Sequence, residues 1–425
     1  MLKIIETNRI NILGVLLVLI LLSALRNISQ IYYLTIICLT AILLIYAFIN
    51  HSFRTGFIAS IFYIFLLYSA LLVTWSAIYM QSLDFIPGIP RLFMVLIFTL
   101  LALLLVSEKD FKLFYKLILF CYIVAAISVI YQILFDAISW FAPQFVRAGL
   151  DRYASMLGSL TIYGSIVGYG LIMLYSEALI PKKLVFKIIL GLILISAAVF
   201  SLTKSGVVMV FLSFIVYSLY DFRSILKRAS LKGLFLLILI FTVMFTLLMQ
   251  INEFREYYNV IVTQTIGGSS FLSDGTNVMM DSDKVSIEHI NKRLFHFTSE
   301  MLKYYGDSVY FIGVGLQGGA GTLGITNNGA HYISAHNAIG DLFFIGGAPY
   351  LFLFLLLYGS TQLVFLRNNN DILCRLFFML NILFFANLLA ASGSAFHPAI
   401  SLPFWISIVY ASIKSKSYKL TVATN

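Results

Sequence analysis

Charged residues are scarce in this chain of 425 residues. Asp, Glu, Lys and Arg together make up 11% of it, whereas 61% of the residues are hydrophobic. A water-soluble domain of this length would need far more polar surface to cover its core. Apolar runs of about 20 residues, the length that a bilayer core requires, recur along almost the whole chain. The composition therefore excludes an ordinary soluble protein and predicts a polytopic membrane protein.

Cysteines and the common cofactor motifs are also nearly missing. The three cysteines, Cys38, Cys121 and Cys374, lie far apart, so neither a disulfide framework nor a zinc site is expected. The sequence contains no Walker-type loop, no Rossmann fingerprint and no carboxylate pair with an obvious spacing for glycoside hydrolysis. We therefore expect no cofactor and no bound metal. The N-terminal apolar run lacks a small-residue cleavage site, and we interpret it as a retained first span.

The apolar runs predict a single all-α membrane domain over residues 1–425, with about 12 transmembrane helices. Each run has the length and hydropathy of a spanning helix, and short polar segments separate most of them. The predicted spans are residues 10–25, 31–49, 57–79, 91–106, 115–135, 158–178, 184–200, 205–220, 233–250, 337–360, 372–391 and 399–413.

Basic residues are distributed unevenly between the two sets of predicted loops. If both termini are cytoplasmic, 18 of the 28 lysines and arginines fall on the cytoplasmic side. Cytoplasmic loops of membrane proteins are rich in Lys and Arg, so the distribution favours this orientation. It also explains the net charge of +10 through membrane topology, and nucleic acid is not expected as a partner.

One long extracytoplasmic loop, residues 251–335, is predicted between spans nine and ten. A connection of this length is usually functional or disordered. Within it, apolar residues recur at helical spacing from Ile287 to Tyr305 and predict a short amphipathic helix. His289, Arg293 and His296 share a separate polar stripe of that helix. The stripe is either an ordinary solvated face or part of a binding site.

Three further basic residues precede or begin predicted spans on the same side of the membrane. Arg152 stands before span six, Lys204 stands in the polar sequence SLTKSG before span eight, and His397 precedes span twelve. Such groups at a membrane boundary are often functional. The alternative for each of them is simple anchoring at the interface, with Arg152 paired to Asp151.

A histidine begins the tenth predicted span. His336 and Asn337 precede the apolar run, and Asp341 follows within its outer part. The N-terminus of a helix offers free N–H groups and the positive end of the dipole, which suit a phosphate. The same field disfavours a charged imidazolium, so a neutral ring could accept a proton. The alternative is an interfacial histidine with Asn337 as the helix cap.

These residues come from distant parts of the chain, yet all are predicted at one face of the membrane. Convergent cations at such a face indicate an anionic ligand. We therefore select Arg152, Arg293 and His336 as candidate catalytic residues. The candidate substrate-binding residues are Lys204, His289, His296, Asn337, Asp341 and His397.

In these motifs the chain resembles the O-antigen ligase and polymerase family. The family's most recognisable element is a His followed by a small polar residue at the start of a late span, with glycines about ten residues later. His336-Asn337 with Gly346-Gly347 matches it, whereas Tyr350 stands at the position of the usual next glycine. The order of the other motifs also matches, through Arg152 in DRYASMLG, Lys204 in SLTKSG (where the family usually has Arg) and Arg293-Leu294. The similarity covers residues 151–398.

The resemblance implies a membrane glycosyltransferase of the bacterial inner membrane whose active site faces the exterior. Its donor would be a glycan linked to undecaprenyl pyrophosphate, and a sugar hydroxyl of the acceptor glycan would attack the anomeric carbon. Arg152 and Arg293 would hold the pyrophosphate, and His336 would act as general base or as a further pyrophosphate ligand. No metal or ATP is implied. The expected partners are these glycans, membrane lipids and a chain-length regulator protein.

Three functions remain open at this point. The first is a polymerase of repeat units for O-antigen, capsule or exopolysaccharide. The second is an O-antigen ligase that transfers finished glycan to lipid A-core. The third, from a different class, is a polysaccharide transporter or flippase without chemistry. Transporters often contain inverted repeats with broken helices in matching halves, and the sequence shows no such repeat.

Overall fold

The structure is a computed structural model of the whole chain. It describes residues 2–29, 31–50, 55–80, 89–138, 140, 145–147, 150–158, 162–180, 184–201, 203–228, 310–313, 315, 322–325, 331–334, 337–390 and 394–423. The ninth predicted span (233–250) and the predicted amphipathic helix with His289, Arg293 and His296 lie outside the described residues, as does His336.

Helices dominate the described part of the chain. The α-helices are α1 (Leu2–Leu21), α2 (Ile31–Ile49), α3 (Phe57–Met80), α4 (Ile89–Ala102), α5 (Glu108–Phe135), α6 (Ile162–Tyr175), α7 (Leu184–Phe200), α8 (Lys204–Arg228), α9 (Ala338–Arg367), α10 (Ile372–Ala390) and α11 (Pro398–Ala423). A short 3-10 helix, Ser23–Asn27, follows α1.

Two short β-hairpins interrupt the helical pattern, and the prediction of a purely all-α chain did not include them. Strand β1 (Phe145–Arg147) pairs antiparallel with β2 (Leu150–Arg152), with Phe145 opposite Arg152. Strand β3 (Thr322–Ile325) pairs antiparallel with β4 (His331–Ser334). Both hairpins lie in predicted extracytoplasmic connections, where no apolar period indicated them.

Each described α-helix overlaps one of the predicted spans. Five are long and apolar enough to cross a membrane by length and composition, namely α2, α3, α5, α9 and α10, and shorter apolar helices occur in α4, α6, α7 and α8. The prediction of a helical, membrane-embedded chain is confirmed in this coarse form. The number of crossings and their orientation stay predictions.

The centre of the bundle is aromatic. Trp405 of α11 is fully buried, and its ring lies 5.6 Å from Phe65 of α3 and 6.0 Å from Phe354 of α9. Phe354 also contacts Phe384 of α10 at a centroid distance of 6.3 Å. Aromatic pairs at these distances contribute beyond their buried area. The rings therefore join α3, α9, α10 and α11 into one core.

Helices α5 and α11 run antiparallel to each other. In α5 and α11, Phe111 lies beside Tyr410, Tyr115 donates to the Pro403 carbonyl and Tyr122 donates to the Ala399 carbonyl. Residue numbers thus rise along α5 while they fall along α11. A helix of 28 residues such as α5 is roughly 40 Å long, enough to connect two well-separated ends of the bundle.

The two ends carry different chemistry. At one end Glu108, Asp371 and Lys414 meet, and we call it the Lys414 end. The other end holds the start of α6, the start of α8 and the finish of α10, and we call it the site end. By the distribution of basic residues, the Lys414 end is the predicted cytoplasmic end.

Candidate functional site

The segment between Arg152 and α6 is fixed between two other helices at the site end. Gln132 of α5 donates from Nε2 to the Ala154 carbonyl (2.8 Å), and the Met156 N–H donates to Ser128 Oγ (3.0 Å). Ser23, beyond α1, donates to the Leu157 carbonyl (2.6 Å). These bonds hold the backbone that follows strand β2. Since Arg152 ends that strand, its backbone position follows from α1 and α5.

The start of α8 is pressed against α6. A Cβ atom added to Gly164 would lie 2.1 Å from Thr203 Oγ1 and 2.9 Å from the Gly206 nitrogen. Ser201 donates to the Ala198 carbonyl (2.8 Å) and shares a hydrogen bond with Thr203 (3.0 Å). Small residues allow membrane helices to approach this closely. The polar SLTKSG sequence is therefore built into the α6–α8 contact, and Lys204 is the first residue of α8.

Asn337 caps α9. Its backbone is extended (φ −143°, ψ 145°), and its side chain accepts a hydrogen bond from the Gly340 N–H at 2.6 Å. An N-cap of this kind satisfies one of the free donors of the first helical turn. Asp341 lies in that turn with 1% of its surface exposed, and acidic side chains are favoured in the first turn of a helix. Asn337 and Asp341 therefore lie at the start of a helix, as the sequence predicted.

His397 holds the start of α11. Its ring Nδ1 accepts a hydrogen bond from the Ala399 N–H (3.3 Å), and its carbonyl accepts from the N–H groups of Ile400 and Ser401. An accepting Nδ1 assigns the proton of the neutral ring to Nε2. His397 therefore caps the start of α11 through its ring and its carbonyl.

Helix α9 is broken where the sequence reads Ile345-Gly346-Gly347-Ala348-Pro349. Gly347 has φ +71° and Gly346 is also non-helical. Pro349 has no N–H, so the carbonyl four residues earlier loses its helical partner. That carbonyl, of Ile345, accepts from the Gly315 N–H (2.9 Å), and the Gly346 carbonyl accepts from the Tyr68 hydroxyl (2.9 Å). The break separates the short first segment of α9, at the site end, from the rest of the helix.

Tyr350 fills the space beside this break. It is fully buried, its ring stacks on Phe65 at 4.6 Å, and its hydroxyl shares a hydrogen bond with Ser69 (2.9 Å). A Cβ atom on Gly346 would lie 2.5 Å from the Tyr350 Cβ. Tyr350 thus packs against α3. The Gly-Gly-x-Pro sequence could have predicted the break.

Sequence reasoning missed Asn387 of α10. It is 1% exposed and donates from Nδ2 to the Ser165 carbonyl and to the Tyr169 hydroxyl, both at 3.0 Å. Ser394 in turn donates to the Asn387 carbonyl (3.1 Å). Asn387 therefore fixes the first turns of α6 to the finish of α10. A lone asparagine near the end of an apolar run was the only signal in the sequence.

Helices α6, α8, α9 and α11 are among the described helices that begin at the site end. Starts of α6 and α8 touch through Gly164, α10 finishes beside α6 through Asn387, and α11 begins next to α10. Helix α9 runs antiparallel to α10, since Phe354 pairs with Phe384 and Tyr358 donates to the Asn381 carbonyl. The starts of α6, α8, α9 and α11 therefore direct positive dipole ends to this end of the bundle.

The sequence-predicted residues divide into three groups. The structure describes the side chains of Asn337, Asp341 and His397, and it describes only the backbone of Arg152 and Lys204. The remaining candidates, His289, Arg293, His296 and His336, lie outside the described residues. Convergence of the whole set stays a prediction. Among the described residues, no group of three or more His, Cys, Asp or Glu side chains could hold a metal ion.

The comparisons with family models and curated proteins do not assign the chain to a family. Comparison of the chain with protein-family models gives no match, and comparison with curated proteins gives none either.

Proposed function

We propose that the chain is a membrane glycosyltransferase that polymerises undecaprenyl-pyrophosphate-linked oligosaccharide repeat units on the outer face of the bacterial inner membrane. One observation carries the proposal: α6, α8, α9 and α11 all begin at the site end, at or just after the motif residues Arg152, Lys204, Asn337 and His397. Helix starts and basic residues at one end of a bundle suit an anionic ligand.

The proposed reaction requires stabilisation of the negative charge that develops on the departing diphosphate. A hydroxyl oxygen of the acceptor glycan bonds to the anomeric carbon of the donor, the bond from that carbon to the diphosphate oxygen breaks, and the diphosphate leaves with the electron pair. Arg152 and Arg293 take the role of holding the diphosphate, because a guanidinium matches two phosphate oxygens at once. Cations placed where charge develops supply much of the rate gain in such reactions.

His336 takes the role of general base toward the acceptor hydroxyl. In the sequence it directly precedes Asn337, the cap of α9. His397, which caps the start of α11, is a further candidate for substrate binding. Lys204 adds a point charge at the start of α8. Cleavage of the phosphate ester link to the sugar supplies the energy, so the reaction needs no ATP.

The test uses single variants in a strain that depends on this chain for its surface polysaccharide. Arg293→Ala and His336→Ala should each lower the rate of polymer formation by about 10² to 10³-fold, the usual effect of removing one donor to a developing charge. Arg367→Ala is the matched control, because Arg367 is exposed at the opposite end of the bundle. All three proteins should insert equally, as measured by immunoblot of membranes.

The glycan products discriminate between outcomes. Single-repeat products in the two site variants, with normal polymer in the control, support a polymerase. Accumulation of long polymer on the lipid carrier would instead assign the chain to ligation onto an acceptor lipid. Normal chain length in both site variants would refute the site.

A further inference from the structure

The carboxylates at the Lys414 end already have partners. Lys414 Nζ lies 2.6 Å from Asp371 Oδ2 and 3.1 Å from Glu108 Oε1. The Tyr410 hydroxyl donates to Asp371 Oδ2 (2.9 Å), and Asp371 Oδ1 accepts from the Leu373 N–H (2.8 Å). Asp110 accepts the N–H of Ser107 in a capping box at the start of α5. Each of these carboxylates therefore has at least one ion-pair or hydrogen-bond partner within the protein.

Arg375 lies one turn into α10 from this cluster. Among the described residues, the ion pairs at this end join Lys414 to Glu108 and to Asp371, and none includes Arg375. Its Nε atom is buried and has no hydrogen-bond partner among the described residues. A buried donor of a charged group without a partner is destabilising by more than a neutral one. The side chain as a whole is partly exposed, so an anion from outside the described chain can contact the rest of the guanidinium group.

The surface of α10 that continues from Arg375 is apolar. Phe378, Ile382 and Phe385 follow at helical spacing and are half-buried, and Leu389 at the far end is 47% exposed. The stripe runs along the helix from the Lys414 end toward the site end. It offers a phosphate-sized charge at one end and a hydrocarbon-compatible surface over the remaining length.

We propose that Arg375 binds the phosphate of an anionic phospholipid from the leaflet at the Lys414 end, with an acyl chain along Phe378, Ile382 and Phe385. The guanidinium fork matches phosphate oxygens. Basic groups between transmembrane helices on the cytoplasmic side bind anionic headgroups in this way. The binding is independent of the glycosyltransferase activity, because Arg375 lies at the opposite end of the bundle from the candidate site.

The experiment compares the full chain in nanodiscs of phosphatidylcholine alone and of phosphatidylcholine with phosphatidylglycerol. Native mass spectrometry counts bound phosphatidylglycerol, and a thermal melt measures Tm. Wild type should retain one phosphatidylglycerol preferentially and melt at a higher temperature in the mixed nanodiscs. Arg375→Gln should bind it roughly fivefold more weakly, the equivalent of one basic contact with an anionic headgroup. Arg375→Lys, which keeps the charge, should lose less.

Arg367→Gln is the matched control, since Arg367 is exposed at the same end and the change in charge is identical. Unchanged phosphatidylglycerol binding in this control supports a specific site at Arg375. Equal loss in both Gln variants would overturn the proposal in favour of general attraction to the anionic surface. Inorganic phosphate added to phosphatidylcholine nanodiscs should not reproduce the rise in Tm; an equal rise would assign the site to free phosphate instead.

Discussion

At the scale of single residues, Asp371 joins three elements. It caps α10 through the Leu373 N–H and pairs with Lys414 and Tyr410 of α11. Burial acts to raise the pKa of its carboxyl, but the hydrogen bonds from Lys414, Tyr410 and Leu373 outweigh burial and leave the pKa below its ordinary value. The charged carboxylate is therefore the form that the folded protein favours.

The sign of this shift sets a pH dependence. A carboxyl whose folded pKa is depressed contributes stability that is fully present above its unfolded pKa, ordinarily 3.8, and that is lost as the pH falls through the folded pKa. Asp371→Asn keeps a capping oxygen but removes the charge. It should lower the free energy of unfolding by about 1 to 2 kcal/mol at neutral pH, measured by denaturant titration in detergent.

The same variant should lose less stability than wild type when the pH is lowered from 6 to 3, because it has no carboxylate at this position to protonate. Identical pH profiles for the two proteins would contradict the role given to Asp371. Lys414→Met would then show whether the cluster contributes at all.

Two glycines of α9, Gly347 and Gly359, allow a test and its control. Gly347 has φ +71°, and a Cβ atom there would lie 2.7 Å from the Phe311 backbone, whereas a Cβ atom on Gly359 meets nothing within 4 Å. Gly347→Ala should lower the free energy of unfolding by about 1 to 3 kcal/mol. Gly359→Ala should be neutral or stabilising by about 0.5 to 1 kcal/mol. Thermal unfolding in detergent measures both, and equal melting temperatures would count against the break.

Single residues were only partly predictable. His336, Asn337 and Arg152 stand out in the sequence because polar groups at the ends of apolar runs are unusual. Asn387 does not stand out, because its role depends on Ser165 and Tyr169 of another helix. The use of His397 Nδ1 as a cap could likewise be found only from the backbone around it.

At the scale of elements, prolines within the helices are matched by hydroxyl or amide donors from neighbouring segments. Pro403 leaves the Ala399 carbonyl of α11 without a helical partner, and the Tyr122 hydroxyl donates to it at 2.6 Å. Pro349 does the same to the Ile345 carbonyl, which accepts from Gly315. Inside a membrane such freed carbonyls need a partner from the protein. Each proline thus ties its helix to another segment.

A double-mutant cycle tests this explanation. Tyr122→Phe should destabilise the protein by about 1 to 3 kcal/mol, since the Ala399 carbonyl is left buried without its donor. In a Pro403→Ala background the restored N–H of residue 403 can reach that carbonyl, so Tyr122→Phe should be less harmful there. Thermal or denaturant unfolding of the four proteins gives the coupling energy. Additive effects within experimental error would argue against the proline as the cause.

Helix positions were the most predictable feature at this scale, because runs of about 20 apolar residues have few other solutions in a bilayer. The interruption of α9 and the two hairpins were not predicted. The break in α9 is supported by Gly315 and Tyr68, which lie far from it in the chain, and hydropathy carries no information about those partners. The hairpins pair nearby residues, but they lie in connections without a regular apolar pattern.

At the scale of the whole molecule, the two ends of the helical bundle carry different groups. Acidic and basic side chains close the Lys414 end, while helix starts and candidate ligand groups gather at the site end. The distribution of basic loops predicts that the Lys414 end faces the cytoplasm. That prediction fixes the side on which any substrate must arrive.

Cysteine labelling tests this orientation in intact cells. In a background of Cys38→Ser, Cys121→Ala and Cys374→Ala, single cysteines are introduced as Ile28→Cys and Asn369→Cys, two exposed positions at opposite ends. A membrane-impermeant maleimide should label position 28 from outside and position 369 only after lysis. The reverse pattern would invert the topology and place the candidate site inside the cell.

The sequence by itself determined the class of this protein, the places of its helices and a preferred orientation. These follow from apolar length and from the asymmetry of basic residues, which are local properties that water and lipid impose on any chain. Only the tertiary structure decided which helix starts share one end and how the α9 break is supported. Those facts depend on hydrogen bonds and contacts between residues far apart in sequence, such as Ser165 with Asn387 and Tyr68 with Gly346.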